Sequence, residues 1–151
     1  MDSVTIQADS LHPLTAILAG VLLLSLVTVE SGGFFLTRVA RGAVPANSLQ
    51  TSFFRAGHAH AAVLLILGLA ILAILDRAGL PFALHLAAAL GAPIAAILMP
   101  AGFFLSVLGR DPQRPGRAIA LLWTGAVVLA AGLVVTGVAL LAAAGGAFRA
   151  A

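Results

Sequence analysis

The side chains that could do chemistry in this sequence are a carboxylate and two imidazoles set among long apolar runs. Glu30 is the one acidic residue well inside an apolar run, and His58 and His60 stand near the start of the next one. Neutral imidazole binds metal ions and haem iron, and it changes charge near neutral pH. We therefore expect a proton relay, a metal site at Glu30 and His60, or a haem held by His58 or His60.

Spacing limits how these groups can meet. Residues two apart on a helix point about 200° apart, so His58 and His60 cannot both face one ion from regular geometry. Counted from the ends of their helices, Glu30 and His60 lie about 10 Å and about 7.5 Å deep on the same side. Arg55 lies on nearly the same face as His58. Either His60 or Arg55 is the expected partner of Glu30.

The elements that position this cluster are predicted to be membrane spans. The chain is 62% apolar and 9% charged, whereas soluble domains are about 25% charged. Its apolar runs exceed the length of about 18 residues at which a span is inferred. We predict an all-α, four-transmembrane-helix bundle forming a single integral membrane domain, with spans over about 14–37, 57–75, 81–108 and 118–144.

Local signals mark the ends and irregularities of these helices. The run from Glu30 to Gly33 predicts an interruption near the end of the first span. Asn47 and Gln50 have the spacing of a capping box, which predicts that the second helix starts directly after Asn47. Pro93 and Pro100 each free a backbone carbonyl in the third span, which lets this long helix bend.

Small residues recur at helical spacing on the last two spans. Ala88, Ala92 and Ala96 repeat every fourth residue, as do Gly132 and Thr136. Lipid removes the hydrophobic drive between helices, so close contact of small residues holds them together instead. These positions are the expected packing faces.

The arginines are distributed unevenly between the two ends of the spans. Six of the eight lie close to the connections between spans one and two and between spans three and four, namely Arg38, Arg41, Arg55, Arg110, Arg114 and Arg117. The positive-inside rule then places both termini outside the cytoplasm, an N-out and C-out arrangement. We expect a multi-pass protein of a bacterial plasma (inner) membrane.

A structural interpretation of the polar cluster stays open beside the functional one. A charged group at the centre of a membrane helix costs about 2.5 to 3.5 kcal/mol. Glu30 can be protonated or ion-paired with Arg55, while the histidines hydrogen-bond carbonyls freed at Pro100 or at the Gly32-Gly33 pair. His85 is expected to reach toward the headgroups, and His12 to lie outside the membrane, each without a polar partner.

The sequence also excludes several classes of protein. It has no phosphate loop, nucleophile elbow, zinc-protease helix or nucleic-acid motif, and no cysteine. No catalytic residue is predicted, and nucleic acid is not an expected partner. The expected partners are the lipid bilayer and either further copies of this chain or a larger membrane complex.

Three stretches carry a resemblance to a known group of proteins. They are VESGGFFLTR at 29–38, FFRAGHAHAAVLLILGL at 53–69 and ILMPAGFFLS at 97–106. Together they resemble an uncharacterised family of small four-helix membrane proteins from actinobacteria. The resemblance implies the four-helix architecture and adds no chemistry.

A shorter likeness concerns Arg55, His58 and His60, in the arrangement R-x-x-H-A-H. It is similar to segments of haem-bearing membrane proteins related to haem-copper oxidase subunits, in which a histidine at a helix start binds iron. This chain lacks the further ligand histidines of an oxidase, which leaves at most one haem or metal site. Two hypotheses follow. The chain is a binding or relay protein for a proton, metal or haem, or it is a non-catalytic accessory subunit of a larger membrane complex.

Overall fold

The structure is a computed structural model that describes residues 11–150, with the side chains of residues 11–146. Every regular element in this part of the chain is a helix: α1 (Pro13–Ala40), α2 (Ser48–Leu75), α3 (Phe82–Leu105) and α4 (Ile119–Ala150). Each of the four is long and apolar enough to cross a membrane. For the described residues, the prediction of an all-helical fold with four such segments is confirmed.

Helix α1 is continuous through Glu30–Gly33, so the predicted interruption is wrong. Each glycine weakens a helix by about 1 kcal/mol. An unbonded backbone group in lipid costs several kcal/mol, however, so the hydrogen-bonded helix persists. Its end comes at Ala40, where Gly42 adopts a φ of 72° and the amide of Ala43 donates to the carbonyl of Arg38 over 2.9 Å.

Helix α2 starts where its capping residues predict. The amide of Gln50 donates to Asn47 Oδ1 over 2.8 Å, and the amide of Asn47 donates to Gln50 Oε1 over 3.1 Å. Gln50 Nε2 also donates to the carbonyls of Val107 and Gly109. These two carbonyls lie beyond the end of α3, which comes at Leu105, earlier than predicted.

The helices pack in chain order, α1 on α2, α2 on α3 and α3 on α4. The α3–α4 contact is the closest, since a Cβ atom at Gly91 would lie 2.7 Å from the Cα of Gly132. The Thr136 hydroxyl lies 2.8 Å from the carbonyl of Gly132 and 3.4 Å from that of Ala88. All five small-residue positions predicted to pack are buried: Ala88, Ala92, Ala96, Gly132 and Thr136.

The two arginine-rich connections meet at one end of the bundle. Asn47 Nδ2 donates to Asp111 Oδ1 over 2.7 Å and to the carbonyl of Pro112 over 2.8 Å. We call this end, residues 41–47 and 106–118, the arginine end. The opposite end, residues 11–15 and 76–85, is the distal end. Six exposed arginines lie at or near the arginine end: Arg38, Arg41, Arg55, Arg110, Arg114 and Arg117.

Candidate functional site

His58 lies between α1 and α2, over the glycine pair of α1. A Cβ atom at Gly32 would be 3.2 Å from His58 Nδ1, and one at Gly33 would be 4.0 Å from His58 Nε2. The missing side chains therefore make the room that the imidazole occupies. Neither ring nitrogen of His58 has a hydrogen-bond partner among the described residues.

Glu30 lies on the outer surface of α1, three residues before Gly33. Its side chain is exposed and makes no hydrogen bond or ion pair with the described part of the chain. It lines a cleft of about 420 Å³ together with Gly33, Phe34 and Thr37. Gly33 thus borders both this cleft and His58, and Glu30 lies about 4.5 Å from it along the helix axis.

His60 faces a different helix. Its Nδ1 lies 2.8 Å from the carbonyl of Ala56, and its ring centroid lies 4.9 Å from that of Phe103 on α3. A carbonyl only accepts, so Nδ1 carries the hydrogen and Nε2 is the acceptor in the neutral ring. The structure therefore brings His58, rather than His60, to the helix that carries Glu30.

Arg55 and His60 do not make the contacts that were expected from the sequence. Arg55 is exposed and forms no ion pair with a described carboxylate. His60 bonds its own helix at Ala56, so the expectation that it bonds a carbonyl freed at Pro100 or at the glycine pair is wrong. Within residues 11–146, no three His, Asp or Glu side chains are placed to hold a metal ion.

The three stretches that carry the family resemblance meet around this site. A Cβ atom at Gly57 would lie 2.8 Å from Cε2 of Phe104 and 3.1 Å from Cβ of Phe103, so this glycine lets α3 approach α2. The ring of Phe54 stacks on that of Phe104 with centroids 5.6 Å apart, and it meets Phe35 of α1 edge-on. These rings join α1, α2 and α3 next to His60, whose ring contacts Phe103.

A second polar cluster, at the distal end, was not predicted. His85 is only 6% exposed, and its Nε2 lies 3.4 Å from the hydroxyl of Thr15. The ring of His12 lies 5.4 Å from that of His85. The expectation that His85 reaches toward the headgroups is wrong, because the first turn of α1 packs against it and supplies a polar partner.

Asp76 completes the distal cluster. The backbone amide of His12 donates to Asp76 Oδ1 over 3.0 Å. This bond, followed by one from the Thr15 hydroxyl, lowers the pKa of Asp76 from its ordinary value of 3.8. A hydroxyl has one hydrogen to donate, so Thr15 accepts from His85 Nε2–H when it donates to Asp76. The result is an imidazole–hydroxyl–carboxylate chain linking α1, α2 and α3.

Local signals for parts of this cluster were present in the sequence. His12 precedes Pro13 at the start of α1, and Asp76 follows the last residue of α2. The contact between His12 and Asp76 depends on how α1 and α2 align, and neither residue's local sequence indicates that alignment. The bond between Thr15 and His85 joins residues 70 positions apart, which no short motif could indicate.

Comparison with protein-family models, with curated proteins and with solved structures finds no match to this chain. The resemblances to four-helix actinobacterial proteins and to haem-bearing segments therefore remain predictions. The geometry of the site is the basis for assigning a function.

Proposed function

We propose that this chain is a multi-pass membrane protein that binds a proton reversibly at Glu30 and His58 and passes it between them. One observation carries the proposal. His58 lies over the glycine pair of α1, Glu30 lies three residues before Gly33 on the same helix, and neither titratable group has a hydrogen-bond partner among the described residues. Titratable groups that lie within apolar helices and have no partner among the described residues are typical of a functional site.

The chemistry follows from what the two groups can exchange. A carboxylate within hydrocarbon is costly, so the protonated carboxyl beside a neutral imidazole is one resting state. When Glu30 releases its proton, the imidazole of His58 can accept it, which leaves a carboxylate and an imidazolium that attract each other. Such a pair stores one proton in two arrangements, as a relay requires.

Among a proton, a metal ion and haem, a proton needs the fewest ligand groups at the site. A metal ion needs three or more ligands, and the described side chains do not gather them. A proton needs only the lone pairs that Glu30 and His58 already present. A Soret band in protein purified after haem supplementation would instead support the haem version.

Infrared difference spectroscopy of the protein in lipid nanodiscs tests the proposal. Stepping the pH should change a protonated-carboxyl band that is absent from E30Q and shifted in H58Q. H60Q is the matched control, because His60 lies on the same helix but is bonded to Ala56, and it should leave the band unchanged. The proposal fails if E30Q and the unmodified protein give the same spectra throughout the titration.

A second candidate function is that of an accessory subunit in a larger membrane complex. The most apolar stretch of α1 is only 11% buried within the chain, and Glu30 lies on the exposed side of this helix. A partner helix carrying an arginine or lysine would neutralise the carboxylate. Native-detergent pull-down should then recover a partner with the unmodified protein and lose it with E30Q, whereas recovery of this chain alone would count against the candidate.

We also propose the orientation and location that accompany these functions. Both termini face outward and the arginine end faces the cytoplasm of a bacterial cell, because the arginines concentrate there. The chain has no cysteine, so a single introduced cysteine reports its own side. Ser3→Cys, outside the described residues, and Gln113→Cys should label from opposite sides of intact cells. Labelling of both from the same side would refute the orientation.

A further inference from the structure

We propose that the cleft lined by Glu30, Gly33, Phe34 and Thr37 binds a lipophilic monovalent cation in exchange for the proton of Glu30. We call it the Glu30 cleft. This inference rests on the proposed function, because it requires that Glu30 releases its proton reversibly. It adds the chemical class of the ligand and the route by which that ligand arrives.

The negative charge of the Glu30 carboxylate favours a cationic ligand. The carboxylate of Glu30 has no cationic partner among the described side chains, and leaving it charged in hydrocarbon is unfavourable. A cation placed beside it would neutralise the charge. The ligand therefore supplies what the chain lacks at this position.

The composition of the Glu30 cleft favours a large, weakly hydrated cation over a metal ion. Ca²⁺ takes six to eight oxygen ligands and Mg²⁺ takes six. Among the described residues, Glu30 is the only carboxylate lining the cleft, and the hydroxyl of Thr37 already donates to the carbonyl of Gly33 over 3.0 Å. A cation whose charge is spread over apolar groups needs one carboxylate and an apolar wall.

The ring of Phe34 provides the apolar contact surface. This residue follows Glu30 by one helical turn and is 77% exposed, so its ring is available to a ligand. The face of an aromatic ring attracts cations, so Phe34 offers a contact for a cation beside the Glu30 carboxylate. The cleft is an open depression of about 420 Å³ whose lining residues in the described part of the chain all belong to α1.

The route of entry is lateral. The Glu30 cleft opens on the exposed side of α1, a helix long and apolar enough to cross a membrane. A ligand would therefore come from the hydrocarbon phase, in which lipophilic cations dissolve. Small hydrated ions are excluded from this phase.

Other charged groups will influence the exchange. Helix α2 is the element packed against this part of α1, and its charged or titratable side chains there are Arg55, His58 and His60. His60 is bonded to Ala56, and Arg55 is exposed. His58, which lies over Gly33, is the group that can pass the displaced proton on to water, and it can repel the incoming cation when it is itself charged.

Binding of tetraphenylphosphonium to the full chain in zwitterionic nanodiscs tests the inference. In a titration from about pH 5 to about pH 9, we expect one proton released per cation, and affinity rising up to about tenfold per pH unit, at those pH values at which Glu30 is protonated. E30Q should weaken binding at least about tenfold, with E30D retaining part of it. F34A should weaken it about two- to thirtyfold. F82A, which removes another exposed phenylalanine, should bind like the unmodified protein.

The outcomes separate this inference from the proposed function. If the Glu30 carboxyl band responds to pH but tetraphenylphosphonium shows no saturable binding, the inference is overturned and the proton-binding function stands. If E30Q, with helical content and unfolding like the unmodified protein, binds equally well, the inference is also overturned. If the Glu30 band does not respond to pH at all, both proposals fail.

Discussion

The Nδ1 atom of His58 lies 3.2 Å from the position that a Cβ atom on Gly32 would occupy, so the imidazole fills the space left by a missing side chain. Gly32→Val would force the ring out of this seat and should lower the free energy of unfolding by about 1 to 3 kcal/mol. Gly20→Val is the control, since nothing lies within 4 Å of the same position there. SDS-induced unfolding in mixed micelles measures the unfolding free energy of both variants. Equal losses would show that the His58 ring does not occupy the space beside Gly32.

The free energy of unfolding should be equally sensitive to the size of the side chains at which α3 and α4 cross. Gly91→Ala places a methyl group 2.7 Å from the Cα of Gly132, and backbone cannot move aside as a flexible side chain can. We expect a loss of about 1 to 3 kcal/mol in unfolding free energy. Gly137→Ala on α4, with nothing within 4 Å, should be neutral or stabilising. A neutral Gly91→Ala would show that the helices do not cross here.

Gln50 should contribute more to stability than a typical polar residue. It closes the capping box at the start of α2 and donates to the carbonyls of Val107 and Gly109 beyond the end of α3. Gln50→Ala removes the donor from the buried bond to Val107 and from the part-buried bond to Gly109, with an expected cost of about 1 to 3 kcal/mol. Gln113→Ala, in an exposed loop, should change unfolding by less than about 0.5 kcal/mol. Similar values for both would contradict this account.

Asp76 should make stability depend on pH in acid. The His12 amide and then the Thr15 hydroxyl lower its pKa below 3.8 in the folded protein. A lowered folded pKa stabilises the protein above the unfolded value, and this contribution is lost as pH falls through the folded pKa. Unfolding free energy should therefore decrease below about pH 4 more steeply for the unmodified protein than for D76N.

Two substitutions at Thr15 provide the control for this prediction. Thr15→Val removes the hydroxyl that bonds Asp76, so it should reduce the acid dependence. Thr15→Ser retains the hydroxyl and should preserve that dependence. If D76N and the unmodified protein lose stability in parallel, Asp76 is not responsible for the pH effect.

Features encoded within a few residues were predictable from the sequence. Four apolar segments follow from composition and length, and the start of α2 follows from the spacing of Asn47 and Gln50. The interruption predicted at Gly32-Gly33 failed for a physical reason. Local propensity disfavours glycine in a helix, but the contact with His58 on another helix gives those glycines a packing role.

The candidate site was predictable only in its residue types. Sequence spacing correctly required His58 and His60 to face different ways, because a helix turns by about 200° over two residues. It could not tell which imidazole faces α1, since that depends on how α2 is rotated about its axis. Likewise, the bond between Thr15 and His85 arises from packing across 70 residues of sequence.

The central claim is that Glu30 and His58 form one proton-binding pair, and nitrogen NMR of isotope-labelled histidine in nanodiscs tests it most directly. A pH titration of the ring nitrogens, assigned with H58Q and H60Q, follows each imidazole separately. We predict that E30Q alters the titration of His58 and leaves that of His60 unchanged, because His60 is bonded to Ala56 and faces α3. A His58 titration that is the same with and without the Glu30 carboxyl would contradict the account.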